Sequence, residues 1–300
     1  MTGTLKLAQK ECDAAFARMH QHAAKARERL ASQREQEASI SQPLFIRGMD
    51  ELMRAMPNHI ARSSLFAPVA RGPKKLHNET PIITRSDVLM TYTGEQLDEA
   101  QADVALQLMY EARQAPLGMP VKINRAAFLR AMGRSTGKHD YEWLHRAMKA
   151  FTKATVIIEA RKPDGSAKYR IGHTKAFHIL ADFDYDESAE MYTFTLDPRW
   201  RTLFGNREFA LIDWYKRLQI GRGQDMAKTL QRLIATSADP VQRYALDWLK
   251  EKMQYASPMR KFKEALTAAV GELQRVGVIS NGHIEISTKG REQLVLWRSG

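Results

Sequence analysis

The sequence contains one cysteine, Cys12, among 300 residues. That excludes an internal disulfide framework and any cysteine-based zinc finger, and it fits a reducing compartment, the cytoplasm. Long apolar runs are missing too: none approaches the ~20 residues that a bilayer-spanning helix needs, so no membrane partner is expected. The N-terminus lacks the apolar stretch of a secretory signal. Acids are scarce, 34 against 46 Lys and Arg, which leaves a net charge of +12 and a pI near 9.7. That balance points to a polyanionic partner, nucleic acid above all. What remains is ordinary for a globular protein: 44% hydrophobic and 27% charged, with length for about two domains and a tail.

The positive charge is not spread evenly. Residues 121–176 hold 13 Lys and Arg against 4 Asp and Glu, net +9, and residues 241–300 hold 10 against 6, net +4. The rest of the chain therefore sums to −1. Both windows also carry the same order of expected elements: helix, tight turn, basic helix, short β-hairpin. The first copy runs from about Asn124 to Thr174 and the second from about Asp239 to Thr288. Helix-turn-helix followed by a hairpin is the winged-helix plan, in which the second helix enters the major groove and the hairpin touches the backbone or minor groove. The expected fold is α+β, with two tandem winged-helix domains over residues 82–212 and 213–300. A mobile, helix-prone arm over residues 1–81 precedes them. Two readers in one chain imply a long, asymmetric DNA site.

Within the arm, residues 1–40 favour helix by composition but lack an apolar stripe. Met49–Met56 reads as a short helix ended by Pro57. In the first domain a strand at Val88–Tyr92 leads into a helix over Glu95–Arg113. Then come a strand at Val121–Ile123 and helices over Arg125–Met132 and Lys138–Lys153. On the last, Tyr141, Leu144, Met148 and Phe151 recur at the spacing of a buried stripe. Lys138, Arg146, Lys149 and Lys153 lie opposite, a face suited to phosphates and base edges although many charged faces are merely solvated. ATVIIEA, KPDGS and AKYRIGH form strand, turn and return strand, and put Lys162, Lys168 and Arg170 on the wing. Phe177–Ala181 and Met191–Leu196 read as further strands.

In the second domain Asp239-Pro240 and Ser257-Pro258 each look like an N-cap followed by proline at the first helical position. Val241, Tyr244, Trp248 and Leu249 would face the core from the first helix. Phe262, Leu266, Ala269, Leu273 and Val276 would do so from the second, with Arg260, Lys261 and Lys263 crowding the start of that reader. Asn281-Gly282 is the expected hairpin turn, with His283–Ser287 returning.

Three chemical motifs fail on spacing or on setting. Gly133-Arg-Ser-Thr-Gly137-Lys138 has three residues between its glycines where a phosphate loop has four, and His139 where that loop needs Ser or Thr. Asp182, Asp184, Asp186 and Glu187 lack the central glycine of a calcium loop and fit the solvated side of a strand. His20-Gln21-His22 sits in a helix-prone tail, not on the strand that a nicking site requires. No nucleophile–base–acid constellation can be argued; the expected protein is no enzyme and takes no cofactor.

Several segments resemble the TrfA-type plasmid replication initiators, within the wider group of tandem winged-helix Rep proteins. They are MRAMPN (Met53–Asn58) with ARSSLF (Ala61–Phe66), TYTGEQL (Thr91–Leu97), APLGMP (Ala115–Pro120) and WYKRL (Trp214–Leu218). The resemblance covers about residues 50–300 and implies a protein that binds direct repeats (iterons) in double-stranded plasmid origin DNA. It further implies opening of the adjacent AT-rich segment, recruitment of the host initiator and replicative helicase, and an equilibrium between homodimer and monomer. Members of that family dock the host sliding clamp through a Gln-Leu-Ser-Leu-Phe-like segment. The matching region here reads Ser41-Gln42-Pro43-Leu44-Phe45, so Gln42, Leu44 and Phe45 are the candidate clamp-binding residues. The glutamine is displaced by one, and a chance Leu-Phe in a linker explains the letters equally well. A winged-helix transcriptional regulator without a replication role is the alternative reading; it would pair one reader with a dimerisation or ligand module.

Overall fold

In the computed structural model the chain divides into residues 1–42 and residues 43–300. Described are Lys25, which is helical and exposed, and residues 51–69, 72–162, 164–172, 176–205 and 208–299. The arm's expected helix, His20-Gln21-His22 and the clamp-binding candidates Gln42, Leu44 and Phe45 lie outside the described residues.

The segment before residue 81 departs from the sequence reading. Met53–Pro57 is not a helix but a strand, β1, antiparallel to β12 (Phe209–Asp213), with Met53 opposite Asp213 and Pro57 opposite Phe209. A partner that distant in the chain leaves no local periodicity to read. Pairing buries Ala55 and Met56, and Arg54 lies 3.6 Å from the Tyr110 ring while its Nε donates to Gln107 at 2.9 Å. α1 (Asn58–Arg62), β2 (Phe66–Ala67) and β3 (Leu76–Pro81) follow, with Ile60, Ala61, Leu65 and Phe66 buried. MRAMPN and ARSSLF are therefore architecture, part of the first core.

β4 (Val88–Glu95) and the short β5 (Leu97–Asp98), parallel to β2, lead into α2 (Glu99–Glu111). This helix starts four residues later than its periodicity predicts. The Asp98 carboxylate accepts from the Gln101 N–H while the Gln101 side chain caps the Asp98 N–H, which fixes the start there. After β6 (Pro120–Asn124), Asn124 caps α3 (Arg125–Ala131), and α4 (Lys138–Lys153) spans the expected residues. Its Leu144, Met148 and Phe151 are fully buried. β7 (Thr155–Arg161) and β8 (Ala167–Ile171) form the first wing. They extend a five-stranded sheet ordered β3-β4-β7-β8, with β9 (Phe177–His178) also on β7. β10 (Asp182–Asp186) and β11 (Met191–Thr195) pair with each other and, through β11, with β6. α5 (Trp200–Phe204) and α6 (Trp214–Gln219) flank β12.

The second copy comprises α7 (Asp225–Ile234), β13 (Val241–Ala245), α8 (Leu246–Lys252), α9 (Met259–Arg275), β14 (Ile279–Ile286) and β15 (Glu292–Arg298). Two expectations are corrected here. Asp239-Pro240 begins no helix: Val241–Ala245 is a strand paired to Gln293–Trp297, and the helix starts at Leu246. Nor is Asn281-Gly282 the hairpin turn. Both residues pair within β14, opposite Trp297 and Leu296, and the chain reverses between Ile286 and Glu292, with Gly290 at φ 72°. Gly282 answers a packing demand instead, because a Cβ there would stand 2.7 Å from Leu296 Cδ2 and 2.8 Å from Val270 Cγ1. The molecule is thus α+β with two tandem winged helices and two buried apolar clusters, one drawn from Ala55 to Trp214 and the other from Ile220 to Leu296.

Candidate nucleic-acid interface

Each copy presents a long amphipathic helix followed by a hairpin, and the charges on the two helices differ in how they are engaged. On α4, Lys138, Arg146, Lys149 and Lys153 are exposed and have no ion-pair partner among the described residues. At 3.6 residues per turn they fall within roughly 80° of one another, opposite the buried stripe. The turn before α4 is braced rather than loose. Arg134 donates to Asp140 Oδ1 at 2.9 and 3.1 Å and lies 3.6 Å from the Trp143 ring. The Ser135 hydroxyl, with Arg134 in support, holds the Asp140 carboxyl below its usual range. That turn follows a helix, not the buried strand that precedes a nucleotide-phosphate loop.

Beside α4 lies an open groove of about 690 Å³ walled by the cations Arg125, Lys138 and Arg146, the acids Glu142 and Glu187, and the rings of Tyr141, His145, Tyr185 and Tyr192. The Arg125 guanidinium is 3.9 Å from the Tyr141 ring. Burial, then the Lys149 charge, keep the His145 imidazole below its ordinary pKa and hence neutral at pH 7. The groove adds polar and aromatic surface to the basic face of α4.

The first wing is partly compensated, keeping two more cations than acids over residues 155–171. Glu159 on β7 accepts from Arg170 at 3.0 Å and Arg161 at 3.2 Å, and Lys168 is paired with Glu208. Of the three expected wing cations only Lys162 is exposed without an ion-pair partner among the described residues. On α9 two of three are likewise engaged: Arg260 with Glu264 at 2.6 Å and Lys263 with Glu292. Lys261 is exposed and unpaired among the described residues. Farther along that exposed face come Thr267, Ala268 and Gly271, short side chains that permit close approach to a groove floor, and then the longer Gln274 and Arg275.

The misplaced turn hid two residues. Lys289 and Arg291 sit in the actual bend of the second wing, both exposed. The glycine at 290 was the available signal, outcompeted by the stronger Asn-Gly pattern.

A family model described as TrfA protein matches residues 9–285. The chain belongs to the TrfA family. It is 23% identical over 243 residues to the plasmid replication initiator protein TrfA of Escherichia coli, an alignment covering 78% of this chain. The matched region spans 60% of that relative's length. A solved structure of the Pi initiator protein in complex with iteron DNA matches with a TM-score of 0.51 at 15% identity, covering 83% of this chain and 98% of that one. At such identity the likeness concerns the fold. In this TrfA-family chain the family-bearing segments MRAMPN and ARSSLF are buried in the first core, whereas the basic helices lie on the surface. Among the described residues no helix is long and apolar enough to cross a membrane.

Proposed function

We propose that the chain is a plasmid replication initiator that grips direct repeats at its origin with both winged helices. One observation carries this reading within a TrfA-family chain: α4 presents four cations with no ion-pair partner among the described residues, on one exposed face, and a second helix-and-wing follows in tandem. Four such charges in one arc suit a phosphate backbone, and release of condensed counterions drives the association. α9, with compensated charge and a short-chained middle, is suited to approach base edges, and the two wings to flanking backbone. Binding free energy spent on bending and untwisting the duplex would favour opening of neighbouring AT-rich DNA. Host initiator and helicase would then be recruited, and the sliding clamp would dock on Leu44 and Phe45, anchored by Gln42.

Footprinting on the plasmid that encodes the chain tests the reading. Protection of evenly spaced direct repeats is the expected result. Protection of one palindromic operator near a promoter, with no repeats, would favour a transcriptional regulator. For the clamp, Leu44→Ala with Phe45→Ala should abolish co-purification with the host clamp; retention would remove that part of the proposal.

A further inference from the structure

The two winged helices meet across buried charge. α7 has two buried sides: Leu230, Leu233 and Ile234 face the second core, while Lys228, Thr229 and Arg232 turn toward α2 of the first. There Glu99, fully buried, accepts from Arg232 Nε at 2.8 Å and Nη2 at 2.6 Å, from Arg217 Nη2 at 2.8 Å and from the Thr229 hydroxyl at 3.0 Å. One turn on, Asp103 binds Arg217 Nε and, at 2.6 Å, Lys228. Arg232 also donates to the Phe66 carbonyl at 3.2 Å, and Lys252 on α8 to the Ser63 carbonyl at 2.9 Å. Ser63 and Phe66 belong to ARSSLF, so that segment, with α2, forms the first domain's side of the joint.

We propose that this cluster is a positioning latch that fixes the alignment of α4 and α9, and so sets the spacing between the two half-sites one chain accepts. The proposal rests on the reading that both winged helices bind DNA. An apolar joint would serve stability at least as well, since burying ions incurs a large desolvation penalty. Apolar contact is non-directional, however, and lets two surfaces slide. A carboxylate gripped edge-on by one guanidinium and capped by another tolerates little rotation. Rigid linkage raises the effective concentration of the second reader at a matched spacing and lowers it at any other.

The test uses the full chain and the repeat defined by footprinting, as duplexes with native spacing or with one or two base pairs inserted between the half-sites. Asp103→Asn combined with Arg217→Gln removes one anion and one cation together and leaves Glu99 paired with Arg232. Wild type should lose about tenfold or more in affinity per inserted pair, since each displaces the halves by about 3.4 Å and about 35°. The double variant should bind the native spacing about threefold to tenfold more weakly, yet lose less than about threefold on insertion. A folded double variant with the wild-type spacing profile overturns the latch while leaving the two-reader function standing. A wild type indifferent to spacing overturns both. Should the double variant fail to fold, Asp103→Asn alone, which keeps Arg217 on Glu99, must shift the profile the same way; an unchanged profile overturns the proposal.

Discussion

The two winged helices share one order of elements and are embedded differently. In the second, β13, β15 and β14 pair among themselves and close a minimal three-stranded sheet. In the first, β6 pairs with β11 instead, and β7 and β8 continue a sheet begun by β3 and β4. Strand order along a chain therefore does not dictate strand pairing: an inserted sheet can capture the first strand and leave the helix-turn-helix intact. The charge follows a parallel split. On α4 the four candidate cations have no ion-pair partner among the described residues, although the exposed Glu142 lies within their arc, whereas α9 has Arg260 and Lys263 engaged with Glu264 and Glu292. A helix with free cations supplies sequence-independent attraction, and a compensated one contributes less of it and more discrimination.

The largest effect should come from stripping the free set. Arg146→Ala, Lys149→Ala and Lys153→Ala combined should weaken binding to any duplex on the order of 10²-fold near physiological salt, and flatten the log–log salt slope by about 3. Anisotropy titrations at several salt concentrations measure both. Unchanged slopes would mean that α4 faces solvent, and the contrast with α9 would lose its functional meaning.

Next in size is Arg260→Ala or Lys261→Ala. Each should relax discrimination between the repeat and scrambled duplex by about 1–3 kcal/mol if its side chain reads a base, with little change in the salt slope. A slope that falls as it does for α4 would make the two helices equivalent. Smaller again is the second wing: Lys289→Ala with Arg291→Ala should lower the slope by about 1–2, one phosphate contact for each cation lost. No change would confine that hairpin to a structural role.

Much of this was legible in the sequence because it is local. The stripe Leu144, Met148, Phe151 and the stripe Phe262, Leu266, Ala269, Leu273 repeat at helical spacing, and both long helices lie where that spacing puts them. What escaped depends on distant partners. β1 is a strand only because Phe209–Asp213 lies beside it, and Val241–Ala245 only because β15 does. Asn281-Gly282 has turn chemistry but serves helix-to-strand contact. Glu99 and Arg232 sit amid ordinary helical sequence, and nothing local marks them as meeting in the interior. The candidate cations were placed by face; their neutralisation by Glu159, Glu208, Glu264 and Glu292 required the folded chain.

The smallest effect on binding is one confined to stability, and it too separates the copies. Lys252 of α8 is fully buried, and burial first, then the neighbouring Arg232 charge, lower its pKa from 10.5 to about 7 against the opposing pull of Glu99. The unfolded chain keeps the ordinary lysine value. Below about pH 7 both states carry the proton, and the full penalty of a buried ammonium is present. Between about 7 and the ordinary value the unfolded state binds more protons, so stability should rise with pH through that window. Lys252→Met keeps the volume, loses the donor to the Ser63 carbonyl and should remove that rise. Urea melts from pH 6 to 10, compared for wild type and variant, read the difference directly. Parallel profiles would show that Lys252 gains its charge without penalty, and that the joint between the copies is wetter than its closed side chains imply.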